Sequence, residues 1–242
     1  MCTVSWIHDS DGYQVLCNRD EKLTRRPALP PQVRERDGVR YVSPVDGNFG
    51  GAWIGTNEFA VSICLLNGAQ RSVETRRGGL RSRGLLLPEL LTASTLLEVN
   101  EEISRTDLTP YAPFTLAVLE PGQHTSITEW DGLDKVIVPY GEAYMPLVSS
   151  SFDPEGVRAR RRDEFKRKLE AAGRLDSSLL FAFHESHGRN RDAYSPCMHR
   201  ADARTVSFSW IRVTKERVKF FYFPDSPCRW SPGQSQTFEL AR

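Results

Sequence analysis

The 242-residue sequence is poor in cysteine, in long apolar runs and in net charge, and each scarcity excludes a class of protein. Its five cysteines are an odd number without a Cys-X-X-Cys pair, which argues against a disulfide framework and against a cysteine-rich zinc module. The longest apolar run, residues 179–183, has five members, whereas a membrane-spanning helix needs roughly 18. Thirty-two basic and thirty-one acidic residues leave a net charge of +1, so no global field favours nucleic acid or an anionic membrane.

The rest of the composition is that of a globular protein. An apolar content of 39% and a charged content of 26% exclude disordered and fibrous chains. The N-terminal segment MCTVSWIHDSDG shows neither a secretory signal nor an Arg-rich transit peptide, so a cytoplasmic location is expected. No internal repeat and no Gly/Ser linker divides the sequence, which predicts a single domain over residues 1–242.

Alternating apolar residues predict two strand pairs in the N-terminal part of the sequence. Residues 2–8 and 13–18 flank the turn sequence DSDG and are predicted to form the first β-hairpin. A second pair is predicted across residues 52–66, with its turn at Thr56 and Asn57.

The pattern then changes to a helical period. One or two helices are predicted over residues 82–103, with a capping box at Thr95 and Glu98. The clearest helix begins at Pro154 and ends near Gly173. Strands and helices without regular βαβ alternation indicate an α+β protein whose antiparallel sheets are covered by helices. Further strands are predicted at residues 114–120, 124–132, 135–139, 205–213 and 217–223.

The first hairpin brings reactive side chains together. If residues 9–12 form its loop, His8 pairs with Tyr13 and Cys2 lies opposite Arg19. Directly opposed residues of an antiparallel pair have Cβ atoms roughly 5 Å apart. A thiol and a guanidinium therefore meet at one strand end, and the residue after the arginine adds a carboxylate.

Removal of Met1, which is usual when a small residue follows it, would give Cys2 a free α-amine beside its thiol. An α-amine with a pKa of about 7.7 is roughly 15 to 20% neutral at pH 7, so it is a far better base than a lysine amine. It could take the thiol proton directly or through water and so activate the nucleophile. A cation at Arg19 would favour the thiolate, and a carboxylate at Asp20 could hold the amine.

The segment MCTVSWIHDSDGYQVLCNRDE, with Cys2 near its start and Asn-Arg-Asp-Glu at residues 18–21, resembles the NRDE-motif family of transport and Golgi organisation proteins. That family is similar to the N-terminal-nucleophile (Ntn) hydrolases of the choloylglycine hydrolase and penicillin V acylase type. The resemblance continues through GGAWIG at residues 50–55, Asn67 and SRG at residues 82–84, so in detail it covers about the first 85 residues.

The resemblance implies a four-layer αββα sandwich of two antiparallel sheets, the Ntn-hydrolase-like fold. It also implies that Cys2 attacks an amide or ester carbonyl while its α-amine carries the proton to the leaving group. The side-chain amide of Asn67 and a backbone N–H would stabilise the oxyanion, an effect often worth about 3 kcal/mol per donor. Arg19 and Asp20 would set the protonation and orientation of Cys2.

Four further residues are predicted to bind substrate: Asn18, Trp53, Ser150 and Arg200. Ser150 stands where the resembled hydrolases have a second active-site asparagine, and a serine side chain has one donor where an asparagine has two. The late arginine of those hydrolases corresponds to Arg200 or to Arg204, because the spacing fits both.

The same residues have ordinary structural explanations. A cysteine at the start of a strand is often a buried core thiol. Arg19 and Asp20 could form an ion pair that closes the end of the hairpin. Asn67 before Gly68 is a turn signal in any protein, and Trp53 fits the core or a pocket wall.

One cluster of potential ligands lies later in the sequence. His184, His187, Cys197 and His199 supply enough donors for a tetrahedral metal site, but no zinc template has their spacing. Surface and core histidines are common, so neither a metal nor a cofactor is expected.

The charged segment of residues 153–174 contains eight basic and five acidic residues. A solvated helix face with ion pairs such as Glu164 with Lys168 explains it, and no aromatic stacking motif accompanies it. Nucleic acid is therefore not an expected partner.

The sequence predicts a cysteine N-terminal-nucleophile amidohydrolase or acyltransferase that acts on the amide or ester bond of a small acylated molecule. The alternative is a non-catalytic binding or trafficking protein that uses the same fold for a hydrophobic ligand. The family resemblance implies haem or an acyl-CoA lipid as that ligand. Both functions require a small-molecule partner and no membrane span.

Overall fold

The computed structural model describes residues 2–68, 79–188 and 190–241, and Met1, whose removal is predicted, lies outside this range. The described helices are α1 (Leu86–Leu90), α2 (Leu96–Arg105), α3 (Pro154–Ala172) and α4 (Ser177–Glu185). The described strands are β1 (Cys2–His8), β2 (Tyr13–Lys22), β3 (Leu29–Arg36), β4 (Val39–Val45), β5 (Ile54–Asn57), β6 (Ser62–Asn67), β7 (Phe114–Leu119), β8 (Ser126–Trp130), β9 (Lys135–Val138), β10 (Leu147–Ser149), β11 (Ala203–Val213), β12 (Arg217–Phe223) and β13 (Gln236–Ala241).

The strands form two sheets. The first sheet has the order β10-β1-β2-β11-β12-β13, and the second has the order β3-β4-β5-β6-β7-β8-β9. Neighbouring strands pair antiparallel in both sheets. The strand β1, which begins at Cys2, is therefore an internal strand held by β10 on one side and by β2 on the other.

The central strands of each sheet are buried on both faces. One apolar core lies between the sheets and includes Val4 of β1 and Ile54 of β5. A second core packs α1 and α2 on the second sheet around Leu87, and a third packs α3 and α4 on the first sheet around Phe165. The layers follow in the order helix, sheet, sheet, helix. This confirms the predicted α+β class and the four-layer αββα sandwich.

The alternation of side chains along a strand decides which residues of β1 and β2 reach the space between the sheets. Cys2 of β1 and Cys17 of β2 both join the inter-sheet core. Arg19, two residues after Cys17, projects to the same side. Asn18 and Asp20 project to the other side, where they contact the helical layer.

Most predicted elements are confirmed. The first hairpin has the predicted register, with Cys2 opposite Arg19. The long helix is α3, whose N-cap Asp153 accepts a backbone N–H hydrogen bond and whose C-cap Gly173 has the left-handed φ of 72° that glycine tolerates. The strands predicted after the first helices are β7, β8, β9, β11 and β12.

The second strand pair reverses later than predicted. Thr56 and Asn57 both belong to β5, so the predicted turn at these residues is wrong. The Oδ1 atom of Asn57 accepts hydrogen bonds from the N–H groups of Phe59 and Val61, at 3.1 and 2.9 Å. An asparagine that bonds the backbone two residues ahead starts a turn, so the chain reverses after Asn57.

Other features lie beyond the prediction. The capping box is formed in part: the Oγ1 atom of Thr95 accepts the N–H of Glu98 at 3.1 Å, but the Glu98 carboxylate accepts from Ser94. Five of the described helices and strands have no predicted counterpart, namely β3, β4, β10, β13 and α4.

None of the helices in the described ranges has the length and apolar character needed to cross a membrane.

Candidate functional site

A cleft of about 320 Å³ opens where the inter-sheet core reaches the surface at the end of β1. Its walls come from both sheets. Cys2 and Arg19 belong to the first sheet, whereas Trp53 precedes β5 and Asn67 ends β6 in the second. The fold therefore gathers a thiol, a guanidinium, an indole and a carboxamide at one opening.

Cys2 is held on both sides of its strand. It pairs with Ser149 of β10 and with Arg19 of β2, and the residue is 7% exposed. The backbone N–H of Cys2 donates a hydrogen bond to the Oγ atom of Ser149 at 2.9 Å. The backbone position of Cys2 is therefore defined, and Cys2 is one of the residues that line the cleft.

The thiols of two neighbouring buried cysteines, Cys2 and Cys17, have pKa values that are shifted in opposite directions. The hydrogen bond from the Cys17 thiol lowers the pKa of Cys2, and the Arg19 cation contributes in the same direction against the effect of burial. The pKa of Cys17 is raised well above its ordinary value, first by this hydrogen bond and then by burial. Of the two thiols, Cys2 is therefore the more acidic, and the thiolate is the nucleophilic form of a cysteine.

Arg19 is fixed by charges and by an aromatic ring. Its Nη2 atom lies 2.5 Å from the Oδ2 atom of Asp46, and its guanidinium carbon lies 4.1 Å from the centre of the Trp53 ring. Arg25 binds the same Asp46 oxygen at 2.8 Å. Asp46 follows β4, so this ion-pair cluster joins the two sheets at the mouth of the cleft. The alternative in which Arg19 pairs with Asp20 is wrong.

Asp20 lies on the opposite face of β2 from the cleft. Its Oδ2 atom lies 2.9 Å from the Nη1 atom of Arg161 in α3. Its Oδ1 atom accepts a hydrogen bond of 2.6 Å from the hydroxyl of Thr205. Asp20 and Arg161 are 0% and 1% exposed. Arg161 also donates to the hydroxyl of Thr3, the neighbour of Cys2. The buried pair therefore anchors both strands that carry the site to α3.

Asn67 lines the cleft at the last residue of β6. Its side chain is exposed, and its amide makes no hydrogen bond within the described part of the chain. The next residue, Gly68, donates its N–H to the carbonyl of Pro113 at 2.9 Å, which fixes the backbone beside Asn67. Among the described residues, none therefore occupies the amide of Asn67, and Asn67 lines the cleft as a candidate ligand contact.

Three of the four predicted substrate-binding residues lie outside the cleft, and only Trp53 lines it. The side-chain amide of Asn18 is buried and donates to two backbone carbonyls at 2.9 Å. The Oγ atom of Ser150 accepts the N–H of Phe152. Arg200 binds Asp202 at 2.8 Å. The other candidate for the late arginine, Arg204, does not line the cleft either.

Several residues of the site are absent from the prediction. Cys17 could have been found, because it follows from the hairpin register that Cys17 shares a face with Arg19. Arg83 lines the cleft and lies within the SRG segment that the resemblance includes. No sequence signal distinguishes Ser149 from Ser150, since only the pairing of β10 with β1 selects it. Asp46 likewise depends on a long-range contact.

Comparison with protein families shows which family the chain belongs to. The sequence profile of the Transport and Golgi organisation 2 family matches residues 1–186. The chain belongs to this family. No curated protein sequence matches it significantly.

Solved structures share the fold of this family member at low sequence identity. Penicillin V acylase from Agrobacterium tumefaciens has a TM-score of 0.57 and 12% identity, with 100% of this chain and 86% of that chain covered. A cysteine-to-alanine mutant of the conjugated bile acid hydrolase from Clostridium perfringens has a TM-score of 0.59 and 10% identity, with coverages of 99% and 92%. The Caenorhabditis elegans orthologue of the N-acylethanolamine-hydrolyzing acid amidase has a TM-score of 0.57 and 17% identity, with coverages of 87% and 92%. These likenesses establish an Ntn-hydrolase-like fold.

Proposed function

We propose that this protein is a cysteine N-terminal-nucleophile hydrolase or acyltransferase that acts on the amide or ester bond of a small acylated molecule. The observation that carries the proposal is the position of Cys2. Cys2 lines the cleft, the pKa of its thiol is lowered, and its nitrogen donates a hydrogen bond to Ser149. The structural neighbours support the reaction class, since their names are those of an acylase, a hydrolase and an amidase.

The proposed reaction starts with the removal of Met1, which turns the Cys2 nitrogen into an α-amine. This amine takes the thiol proton, and the thiolate attacks the carbonyl carbon of the substrate. The amide of Asn67 donates a hydrogen bond to the resulting oxyanion. The ammonium group then protonates the leaving amine or alcohol as the carbon–heteroatom bond breaks, which leaves a thioester on Cys2.

The second half of the reaction releases the acyl group. Water, or the hydroxyl or amine of an acceptor, attacks the thioester and passes its proton to the α-amine. The sulfur leaves as the thiolate, which recovers the proton from the amine. Water as the attacking group gives hydrolysis, and an acceptor gives acyl transfer, so the two activities share one intermediate.

Two neighbours set the state of the nucleophile. The Ser149 hydroxyl accepts one N–H of the amine, so the nitrogen lone pair can be directed towards the sulfur. Arg19 stabilises the thiolate and is itself kept in place by Asp46 and Trp53. In this proposal Asp20 acts from the opposite face of β2, by anchoring the strands to α3.

The charge of the cleft favours an anionic substrate. The acidic residues in its described lining, Glu21 and Asp46, are both engaged by Arg19 and Arg25. Arg81 and Arg83 add further positive charge to the lining. We therefore propose a substrate that carries a carboxylate or another anionic group near the scissile bond.

Mass spectrometry and a substrate panel test the proposal. The intact mass of the purified protein should show loss of Met1. A panel of chromogenic acyl amides and esters, in matched neutral and anionic versions, should reveal turnover that Cys2→Ala abolishes. Cys64→Ala is the matched control, because it removes a thiol from the core outside the cleft. Equal turnover by the wild type and Cys2→Ala would refute the proposal.

One observation favours the alternative of a binding or trafficking protein. Phe49 and Leu80 lie on the cleft lining with 61% and 50% of their surface exposed, so an apolar ligand would find contacts at its margin. Under this alternative, haem or acyl-CoA should bind saturably with 1:1 stoichiometry and without conversion. Absence of binding at physiological concentrations would remove the alternative.

A further inference from the structure

Two histidines and two cysteines meet beside α4, outside the cleft. They come from three segments of the chain. His187 follows the end of α4, Cys197 and His199 lie in the loop before β11, and Cys228 lies in a short 3-10 turn after β12. The fold therefore brings together donors that are up to 41 residues apart in the sequence.

The distances among three of these side chains suit a metal ion, and the fourth, Cys197, adjoins that group through His199. Potential ligand atoms of His187, His199 and Cys228 all lie within 4.8 Å of one another. The Nε2 atom of His199 lies 3.3 Å from the sulfur of Cys197 and 3.4 Å from that of Cys228. A tetrahedral zinc ion with bonds of about 2.3 Å to sulfur and about 2.1 Å to nitrogen places neighbouring ligand atoms roughly 3.5 Å apart.

The membership of the cluster differs from the group that the sequence suggested. His184 points into the first sheet, where its Nε2 atom shares a 2.8 Å hydrogen bond with the hydroxyl of Ser5. Cys228 contributes a sulfur in its place. The ligand spacing matches no zinc template because this fourth donor lies 29 residues after His199 and on another turn.

Backbone hydrogen bonds hold the loop of Cys197 and His199 in position without a metal. The N–H of Cys197 donates to the carbonyl of Ser186 at 2.9 Å, and the N–H of His199 donates to the carbonyl of Arg191 at 2.8 Å. These bonds fix the loop that carries two donors against the segment that carries His187. A site that is organised in advance loses less entropy when a metal binds.

We propose that His187, Cys197, His199 and Cys228 form a Cys2His2 site for Zn²⁺ or a similar borderline-soft divalent cation. Binding forms two metal–sulfur and two metal–nitrogen bonds and releases the two thiol protons to solvent. The site is then electrically neutral, since two thiolates balance the charge of the ion. Four protein ligands leave no open position, so the ion is structural and joins the end of α4 to the two later segments.

Metal analysis of the full-length protein tests the site. Protein purified under reducing conditions without chelators should contain one zinc equivalent by elemental mass spectrometry. After removal of the zinc, added Co²⁺ should give the visible absorption bands of a tetrahedral cobalt ion and a thiolate-to-cobalt charge-transfer band. Protein that neither retains zinc nor gives this spectrum overturns the proposal. So does a Cys197–Cys228 disulfide in protein isolated from reducing conditions, because it would consume both sulfur ligands.

Variants separate the ligands from the other cysteines and histidines. Cys228→Ser should weaken zinc binding by at least the roughly 10- to 100-fold that loss of a supporting contact already costs a metal site. His187→Ala, a change in a half-buried loop, should do the same and remains interpretable if Cys228→Ser misfolds. His124→Ala is the matched control, since that exposed histidine lies outside the cluster. Unchanged affinity in His187→Ala overturns the proposal.

The metal site and the proposed hydrolase can fail independently. Cys2→Ala should abolish turnover and retain one zinc equivalent. Zinc should raise the Tm of the wild type and of Cys2→Ala but not that of His187→Ala. Loss of zinc from Cys2→Ala would place the metal at the cleft and overturn the assignment to this cluster.

Discussion

Replacement of Arg161 by methionine provides the sharpest test of how the candidate site is supported. The side chain of Arg161 is 1% exposed, and its guanidinium contacts Asp20, Thr3 and the carbonyl of Ala193. Methionine fills much of the same volume but leaves the buried carboxylate of Asp20 without this cation. Breaking a buried ion pair from one side typically costs about 3–5 kcal/mol.

The expected effect on thermal stability follows from that range. In a chain of this size, 1 kcal/mol shifts the Tm by about 2–4 °C, so Arg161→Met should lower the Tm by roughly 6–20 °C. Asp20→Asn combined with Arg161→Met removes both charges, and we expect it to be more stable than Arg161→Met alone. Chemical denaturation of the wild type, both single variants and the double variant gives the coupling energy directly.

A matched control and a clear refutation are available. Arg167→Met lies on the same helix, but its side chain is 67% exposed and pairs with Glu164, so the change should stay within about 0.5 kcal/mol. The reasoning is refuted if Arg161→Met costs less than about 1 kcal/mol, or if the two single effects simply add in the double variant.

Three further predictions concern the cleft and the core. Cys17→Ala removes the main cause of the lowered Cys2 pKa, so alkylation of Cys2 by iodoacetamide should reach its midpoint at higher pH; an unchanged midpoint contradicts the assignment. Ser149→Ala should lower kcat about tenfold, the equivalent of roughly 1.4 kcal/mol, with Ser150→Ala as the unaffected control, and equal losses would contradict the role of β10. Burial lowers the pKa of His184 to about 3 from 6.5, so the unfolded chain binds a proton first and stability should fall as the pH drops from 6.5 towards 3. Urea denaturation across this range should show a weaker fall for His184→Gln, and identical curves would exclude His184 as the cause.

The local part of the site could be predicted because it depends on a single hairpin. A four-residue loop and the two-residue period of a strand fix the partner of every residue in β1 and β2. Cys2 therefore had to lie opposite Arg19, as it does. The same period places Asn18 and Asp20 on the other face, so a stricter use of alternation would have separated them from the cleft.

The remaining part of the site depends on contacts that no local pattern encodes. β10 has three residues, and its pairing with β1 joins Ser149 to Cys2 across 147 positions. β3 has the sequence LPPQVRER and lies at a sheet edge. Its two prolines and its mostly exposed side chains do not give the apolar alternation that predicts a strand. Without β3 and β4 there was no way to predict that Asp46 meets Arg19.

Because the candidate catalytic groups are divided between two sheets, their spacing is a property of how the sheets stack rather than of either sheet alone. The sulfur and the guanidinium move with one sheet, and the indole and the carboxamide move with the other. A small lateral slip of one sheet on the other would keep every strand pairing intact while moving Cys2 away from Asn67. Phe220 packs in the core between the sheets. We therefore expect a larger or smaller side chain at this position to alter turnover in proportion to the slip, even where the protein stays folded. In this architecture, the alignment of Cys2 with Asn67 depends on the packing between the two sheets.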